Sequence, residues 1–218
     1  MTVPHLLSDL RLLAVVGPPA VSPEAIVDAS RAAEAGGVTS LQLRWKSGSA
    51  SELVSMTERL VDALSIPVYV NDRADVALAA GAAGVHLGAD DLDPARVRSI
   101  SPSTFRIGAS VGTEDEAEQI SCAGVDYWSI GAIYRTGSKR DAGDPIGNSG
   151  FKRLSALAPA GMPVMAIGGI DASNVADILC AGAIGVAVIN AVFGSGEIEK
   201  NARDLRATID DVLSSQSS

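Results

Sequence analysis

Charged residues lie just past several short apolar runs in this chain. Asp72 and Asp91 each follow such a run, Arg44 and Lys46 follow another, and Lys139 lies in a polar loop after a fourth. Two carboxylates suit Mg²⁺, which completes its shell with water and phosphate oxygens. Arginine and lysine suit the phosphate itself. These residue types predict a site for a phosphate ester and a metal ion.

The two acids also have ordinary structural interpretations. Asp72 would cap the helix that follows it, since aspartate is a favoured residue at helix starts. Asp91 would be a solvated loop acid, as we expect of its neighbour Asp90. Convergence with the cations favours the metal interpretation for Asp72 and Asp91.

Gln42, Arg44 and Lys46 alternate along the sequence. Alternate residues of an extended segment share a face, so these three would form a polar row. An arginine fork and a lysine point charge in such a row would hold a phosphate. The alternative is that Arg44 and Lys46 are surface residues at the end of a strand.

Two further segments suit phosphate. The polar loop 133–141 offers hydroxyls and amides that could wrap an anion, and Lys139 could reach across from it; the alternative is a basic surface loop. Gly168 and Gly169 precede a helix start and offer backbone N–H groups, although a glycine pair also serves a tight turn. His86 is expected to be a satisfied core residue, and Trp45 shields the pocket or packs at its rim.

Eight apolar runs alternate with helical patterns of three- and four-residue spacing. The runs are Leu12–Val16, Ser40–Leu43, Pro67–Val70, Gly84–Leu87, Arg106–Ala109, Tyr127–Ile130, Pro163–Ile167 and Gly185–Ile189. Eight such units predict a single-domain α/β protein, a (β/α)₈ (TIM) barrel. An open doubly wound sheet is the alternative, but no clear Gly-x-Gly-x-x-Gly turn supports it.

The predicted barrel spans residues 11–213, with an N-terminal extension at 1–10 and a disordered tail at 214–218. Active sites of such barrels form from the loops after the strands. The candidate residues that fall in those loops are Arg44, Lys46, Asn71, Asp72, Asp91, Ser110, Thr136, Ser138, Lys139, Gly168, Gly169 and Asn190.

Composition narrows the class of protein. The 218 residues are 47% apolar and carry a net charge of −9, which argues against nucleic-acid binding because that needs a basic face. The first ten residues lack a signal-peptide pattern, and no apolar run reaches the ~20 residues of a membrane span. Cys122 and Cys180 are expected to be buried, reduced and inert, with a disulfide or a catalytic thiol as the alternative. We expect a cytoplasmic protein with no membrane partner, and the sequence sets no oligomeric state.

Five separated motifs carry a family resemblance. They are Gln42-Leu43-Arg44-x-Lys46, Asn71-Asp72-Arg73-x-Asp75, Gly84-Val85-His86-Leu87-Gly88-x-x-Asp91, Tyr134-x-Thr136-x-Ser138-Lys139-x-Asp141 and Ile167-Gly168-Gly169-Ile170. In this order, each at a strand end, they resemble the thiamine-phosphate synthase (thiamine-phosphate pyrophosphorylase) family. The resemblance runs from about Leu12 to Gly194.

The resemblance implies a (β/α)₈ transferase that joins 4-amino-5-hydroxymethyl-2-methylpyrimidine diphosphate to a thiazole phosphate and releases pyrophosphate. It implies that Asp72 and Asp91 hold Mg²⁺, and that Lys139, Arg44 and Lys46 stabilise the departing charge. It assigns the pyrimidine diphosphate to Gln42, Arg44, Lys46, Asn71, Ser110 and Lys139. It assigns the thiazole phosphate to Thr136, Gly137, Ser138, Gly169, Ile189 and Asn190.

The chain departs from the family pattern in several places. At four positions this chain has a different residue from the one often found in the family: Trp45 in place of Glu, Ala89 in place of Gln, Arg135 in place of Pro and Asn190 in place of Ser. It also has Ser110-Val111-Gly112 where the family often has Ser-Thr-His. Three alternatives are a thiazole tautomerase of the same superfamily, an epimerase or aldolase on a phosphate-binding barrel, and a non-catalytic sensor of phosphate ligands. The tautomerase would have lost much of the metal and diphosphate set, and the epimerase or aldolase needs an acid/base pair or a Schiff-base lysine inside the barrel.

Overall fold

The computed structural model describes residues 3–120, 124–137 and 144–216, with side chains from Leu6 onward. Eight parallel strands close into a barrel in which each strand pairs with the next and β8 pairs with β1. They are β1 Leu12–Val16, β2 Ser40–Leu43, β3 Val68–Asn71, β4 Gly84–Leu87, β5 Arg106–Val111, β6 Tyr127–Ile130, β7 Val164–Ile167 and β8 Val186–Val188. The predicted (β/α)₈ barrel is confirmed, and the doubly wound sheet is wrong.

Helices pack around the barrel between the strands. They are α1 Val3–Asp9, α2 Ile26–Ala35, α3 Ala50–Ala63, α4 Ala74–Ala79, α5 Pro94–Ile100, α6 Glu114–Ile120, α7 Gly147–Ser155, α8 Val175–Cys180, α9 Asn190–Phe193 and α10 Ile198–Gln216. A 3₁₀ turn, Pro23–Ala25, leads into α2. None of the helices in the described ranges is long and apolar enough to cross a membrane.

The strands are apolar on both faces because helices cover one face and the barrel interior covers the other. In β6, Trp128 and Ile130 pack outward against the helices, whereas Tyr127 belongs to the cluster inside the barrel. The same alternation puts Gln42 of β2 inside, since Leu41 and Leu43 pack outward. The inner faces of β2 and β4 therefore carry polar side chains, Gln42 and His86, toward the carboxyl end.

The amino end of the barrel is closed by residues that the sequence assigned to an extension. Leu6 of α1 and Leu10 just after it are buried in the inner cluster. The strand residues of that cluster are Leu13, Val15, Tyr69, Tyr127, Met165 and Ala187. Thr39 and Ser40 also donate to the carbonyl of Asp9. Residues 6–10 are thus the floor of the barrel and contribute to its core.

Two inward-facing glycines make room for large neighbours. A Cβ on Gly108 would lie 2.1 Å from Cζ of Tyr127, and one on Gly84 would lie 2.2 Å from the carbonyl oxygen of Arg106. Any side chain at Gly108 would displace the Tyr127 ring. The tyrosine fills this space and directs its hydroxyl group toward His86.

Several helix boundaries follow from local chemistry. Asp93 caps α5, since its carboxylate accepts from the amides of Ala95 and Arg96 at 2.8 and 3.1 Å. Ser22 stands at the N-cap position of the 3₁₀ turn but makes no side-chain cap hydrogen bond. Ser49 and Glu52 form a full capping box at the start of α3.

Two sequence expectations differ from the structure at the carboxyl-terminal end. A disordered tail was predicted from residue 214, but α10 continues through Gln216 because its buried residues Leu205 and Ile209 anchor a long amphipathic helix. Cys180 was expected to be buried, but it is exposed at the end of α8, and Cys122 lies outside the described residues.

Candidate active site

Two acids and a lysine meet at the carboxyl end of the barrel. Nζ of Lys46 lies 2.7 Å from Oδ2 of Asp72, and the carboxyl groups of Asp72 and Asp91 are close enough to shift each other's pKa. The three residues come from the ends of β2, β3 and β4. The barrel therefore gathers them from positions up to 45 residues apart in sequence.

Asp72 has a strained backbone. Its φ is +65°, a left-handed conformation that non-glycine residues seldom adopt and that often marks functional sites. Its N–H donates to the carbonyl of His86 at 2.8 Å, so β4 holds it in place. Helix α4 begins at Ala74 with Arg73 as its N-cap residue. The interpretation of Asp72 as a helix cap is therefore wrong.

Asp91 is fixed by its own loop. Its Oδ2 accepts from the N–H of Gly88 at 2.6 Å, which turns the carboxylate back toward the end of β4. Its neighbour Asp90 is exposed, as the sequence predicts. Asp91 is only partly exposed and is therefore more than a solvated loop acid.

The pKa values of the two carboxyl groups shift in opposite directions. Burial opposes ionisation of Asp72, but hydrogen bonds from Lys46 and Asp91 and the charges of Lys46 and Arg44 outweigh it and lower its pKa. Burial raises the pKa of Asp91, the Gly88 N–H opposes that rise, and the neighbouring Asp72 adds to it. Close like charges separate the pKa values of a pair in this way. The pair has an excess of negative charge that a cation would relieve.

His86 lies inside the barrel below this pair. Its Nε2 is 3.0 Å from Oγ of Ser110, and its Nδ1 is 3.2 Å from the hydroxyl of Tyr127. Neutral imidazole donates through one nitrogen and accepts through the other, so the ring can orient the Ser110 hydroxyl. The sequence predicts only a satisfied core residue at His86, and its burial with a partner at each ring nitrogen confirms this. A signal for its role at the site was present in the sequence. His86 is an inward-facing residue in the alternation of β4, and it pairs with Asn71 of β3.

We call the carboxyl end of the barrel, where the acid pair lies, its mouth. A cavity of about 220 Å³ opens on the side of the mouth away from the acid pair. Arg44, Gly137, Ile189 and Asn190 line it together with the last two residues of β1 and the loop 17–20 that follows. Nε of Arg44 is buried and makes no hydrogen bond within the described residues. A buried guanidinium nitrogen without a partner is costly, and an anion bound at this position would satisfy it.

The glycine pair after β7 has a packing role. A Cβ on Gly169 would lie 2.7 Å from the carbonyl oxygen of Arg135, and one on Gly168 would lie 2.7 Å from Cα of Ala132. The N–H of Tyr134 also donates to the carbonyl of Gly168 at 2.9 Å. These contacts hold the loop after β6 against the loop after β7, and so place Thr136 and Gly137 at the mouth. Ser138 and Lys139 lie outside the described residues.

The departures from the family pattern have structural explanations in two cases. Trp45 packs against the outer core at the rim, and its Nε1 donates to Ser47 at 3.2 Å. Its ring covers Gly48, whose Cβ position would lie 3.0 Å from it. The N–H of Gly112 donates to Glu116 at 2.6 Å, at the start of α6.

The donor set for a metal is small. Among the described residues no three His, Cys, Asp or Glu side chains come together, and Asp72 and Asp91 form a pair. Two carboxylates with room for water and phosphate oxygens fit Mg²⁺, which takes few protein ligands. They would not make a closed four-ligand site of the zinc type.

A larger cavity of about 370 Å³ lies at the opposite end of the barrel. Asp9, Tyr69 and Arg106 are among its lining residues. It contains neither the acid pair nor the cations of β2, and active sites of this fold form at the carboxyl end. The fold therefore favours the smaller cavity and the acid pair beside it as the candidate active site.

The fold and the mouth define a class: a (β/α)₈ enzyme whose strand ends gather acids and cations around a phosphate-sized opening. The family model described as thiamine monophosphate synthase matches residues 12–192. The chain therefore belongs to the thiamine-phosphate synthase family, a family of transferases.

Similar proteins cover most of the chain. The thiamine-phosphate synthase of Methanoculleus marisnigri is 46% identical over 186 residues, 84% of this chain and 87% of that protein. That of Agrobacterium fabrum is 39% identical over 211 residues, 94% of this chain and 96% of that protein. The solved structure of thiamine phosphate pyrophosphorylase from Pyrococcus furiosus has a TM-score of 0.86 at 33% identity, covering 95% of this chain and 99% of that one.

Proposed function

We propose that this chain condenses 4-amino-5-hydroxymethyl-2-methylpyrimidine diphosphate with a thiazole phosphate, giving thiamine phosphate and pyrophosphate. The observation that carries the proposal is the contact of Lys46 with the acid pair Asp72 and Asp91, beside the unsatisfied Nε of Arg44. Such a mouth suits a diphosphate and a divalent cation. The family membership supplies the identity of the two substrates.

The reaction proceeds by departure of the diphosphate first. The bond between the methylene carbon and the diphosphate oxygen breaks, and its electron pair leaves with pyrophosphate. The lone pair of the thiazole nitrogen then forms the new carbon–nitrogen bond. The aminopyrimidine ring is electron-rich and stabilises the cation between these steps, so no side-chain nucleophile is required.

The side chains of the mouth stabilise the charge that grows on the leaving group. Arg44 and Lys46 donate to diphosphate oxygens, and Lys139 joins them from the loop after β6. Preorganised charges of this kind usually contribute the largest part of catalysis. His86 orients the hydroxyl of Ser110 toward the same substrate, and Gln42 and Asn71 reach it from the inner faces of β2 and β3.

Asp72 and Asp91 are the proposed ligands of Mg²⁺. Their proximity and the raised pKa of Asp91, caused first by burial and then by the charge of Asp72, support a cation at this position. When bound, the ion supplies electrostatic stabilisation of the departing diphosphate. Asp72 holds its carboxylate in place through the left-handed backbone, and Asp91 through the Gly88 amide.

The thiazole phosphate is proposed to occupy the cavity beside Arg44. Gly137, Ile189 and Asn190 line that cavity, and the contacts of Gly169 fix the loop that carries Thr136 and Ser138. In this proposal the thiazole lies between the β1 loop and the diphosphate site. The nucleophile and the electrophile then share one mouth.

Other functions fit less well. An aldolase of the Schiff-base type needs a desolvated lysine, and no lysine among the described residues is buried. A tautomerase has no use for a diphosphate site, yet the acid pair and Lys46 are present here. A non-catalytic sensor would bind both ligands without turnover.

The test is an assay of the purified chain with both substrates and Mg²⁺, with thiamine phosphate identified by chromatography and mass. Product formation that stops when either substrate is omitted supports the condensation. Binding of the pyrimidine diphosphate without any product would contradict it and favour the sensor.

A further inference from the structure

We propose that Lys46 is the resident counter-ion of the acid pair, and that an incoming divalent cation displaces it onto the diphosphate. The inference rests on the proposed function, because it concerns the same mouth. It assigns Lys46 two successive partners, the carboxylate of Asp72 and then the substrate.

The contact geometry carries the first half of this proposal. Nζ of Lys46 lies 2.7 Å from Oδ2 of Asp72, and Asp72 neighbours Asp91. The Lys46 side chain is 56% exposed, whereas that of Asp72 is 20% exposed. A fixed acid is thus held by a cation whose flexible stem lies mostly in solvent.

The other cations near the pair are constrained differently. Both Nε and Nη2 of Arg73 are occupied by Asp75, at 2.8 and 2.6 Å. Arg44 lines the cavity on the other side of the mouth and has a buried Nε. Among the described residues, Lys46 is the cation whose ammonium contacts the acid pair.

Displacement follows from competition for the same oxygen. A divalent ion held by the Asp72 carboxylate would use the lone pairs that now accept from Lys46, and it would repel the ammonium. Lysine is a point charge on a flexible chain, so it can move to a nearby anion. Metal binding would thereby release a cation for the diphosphate, and the two ligands would bind cooperatively.

The experiment measures binding by titration calorimetry, without turnover. Mg²⁺ alone is titrated into the wild type, Lys46→Met and Asp72→Asn, and pyrophosphate is titrated with and without saturating Mg²⁺. Arg73→Met is the matched control, because it removes a positive charge one residue from Asp72 that is paired elsewhere. Circular dichroism checks that each variant is folded.

Lys46→Met is expected to bind Mg²⁺ alone about three- to tenfold more tightly than the wild type, because the competitor is gone. The factor by which Mg²⁺ improves pyrophosphate binding is expected to shrink in this variant. Arg73→Met is expected to change neither quantity, and Asp72→Asn to lose the metal.

Unchanged or weaker Mg²⁺ binding by Lys46→Met would overturn the proposal, as would an equal gain in Arg73→Met. So would an absence of Mg²⁺ binding in both the wild type and Lys46→Met. Product formation by the wild type in the two-substrate assay is a separate readout. It shows whether the proposed function holds even if Mg²⁺ does not displace Lys46 from Asp72.

Discussion

The carboxyl groups of Asp72 and Asp91 lie close enough to shift each other's pKa in opposite directions, although they follow different strands of the barrel. One is presented by a left-handed backbone and the other by a bond from the Gly88 amide. Folding brings two acids together that would repel each other when both are ionised. The protein therefore accepts a local cost in stability at its mouth.

This cost gives a pH dependence of stability in metal-free protein. Burial and the charge of Asp72 raise the pKa of Asp91 above its usual value, against the Gly88 N–H and the charge of Lys46. A raised folded-state pKa gives stability that is present at low pH and lost as pH rises through that pKa. Asp91→Asn should therefore gain in unfolding temperature relative to the wild type as pH rises from about 4 to about 7.

Thermal unfolding of both proteins in chelator across that pH range measures the effect. Asp90→Asn is the control, because Asp90 is exposed and adjacent. If the unfolding temperature of Asp91→Asn relative to the wild type stays constant with pH, or falls as pH rises, the charge repulsion is contradicted.

The same acids are expected to be needed for catalysis. Asp72→Asn and Asp91→Asn should each lower kcat by at least about a hundredfold with the fold intact, since each removes an anionic ligand of the proposed metal. Steady-state assays at saturating Mg²⁺ measure this, with Asp90→Asn as the charge-matched control. Near-normal rates would remove the metal assignment.

The loop contacts of Gly169 predict a separate loss of stability. Gly169→Ala combines a left-handed backbone with a Cβ 2.7 Å from the Arg135 carbonyl oxygen, and should cost about 2–3 kcal/mol of unfolding free energy. Gly81→Ala is the matched control, because its φ is +68° but nothing lies within 4 Å of the added Cβ. It should cost only about 1 kcal/mol.

Urea unfolding of both variants tests this pair. Equal losses would show that the backbone conformation alone matters at Gly169. A larger loss in Gly169→Ala, together with weaker thiazole phosphate binding, would show that this glycine holds the loop after β6 in place.

Lys139 lies outside the described residues, so its prediction rests on the sequence. Lys139→Ala is expected to lower kcat more than it weakens binding of the thiazole phosphate, because the lysine acts on the leaving diphosphate. Turnover and direct binding of the thiazole phosphate are the two measurements. An equal loss in both would place Lys139 in the other pocket.

The barrel itself could be predicted because each strand leaves a local pattern. Short apolar runs can be recognised directly in the sequence. The predicted bounds of Tyr127–Ile130 and Ser40–Leu43 agree with the strands of the structure. The floor could not be predicted, because Leu6 and Leu10 have no pattern until the strands around them are closed. The same holds for α9, a helix of four residues at the end of β8.

The site was predictable to the level of strand ends and no further. That Asp72 and Asp91 would meet follows from parallel strands that end at one edge. Side-chain packing between strands decides the remaining contacts. Lys46 contacts Asp72, and the missing side chain of Gly108 leaves room for the Tyr127 ring. The hydroxyl of Tyr127 then contacts His86. Such contacts join residues far apart in sequence, where spacing carries no information.

The most direct test of the account quantifies both products of the purified chain with its two substrates, with and without a chelator. Thiamine phosphate and pyrophosphate should form in equal amounts, and both should disappear when Mg²⁺ is removed and return when it is restored. Equal formation in the presence of chelator would contradict the role of the acid pair. Pyrophosphate without thiamine phosphate would contradict the condensation.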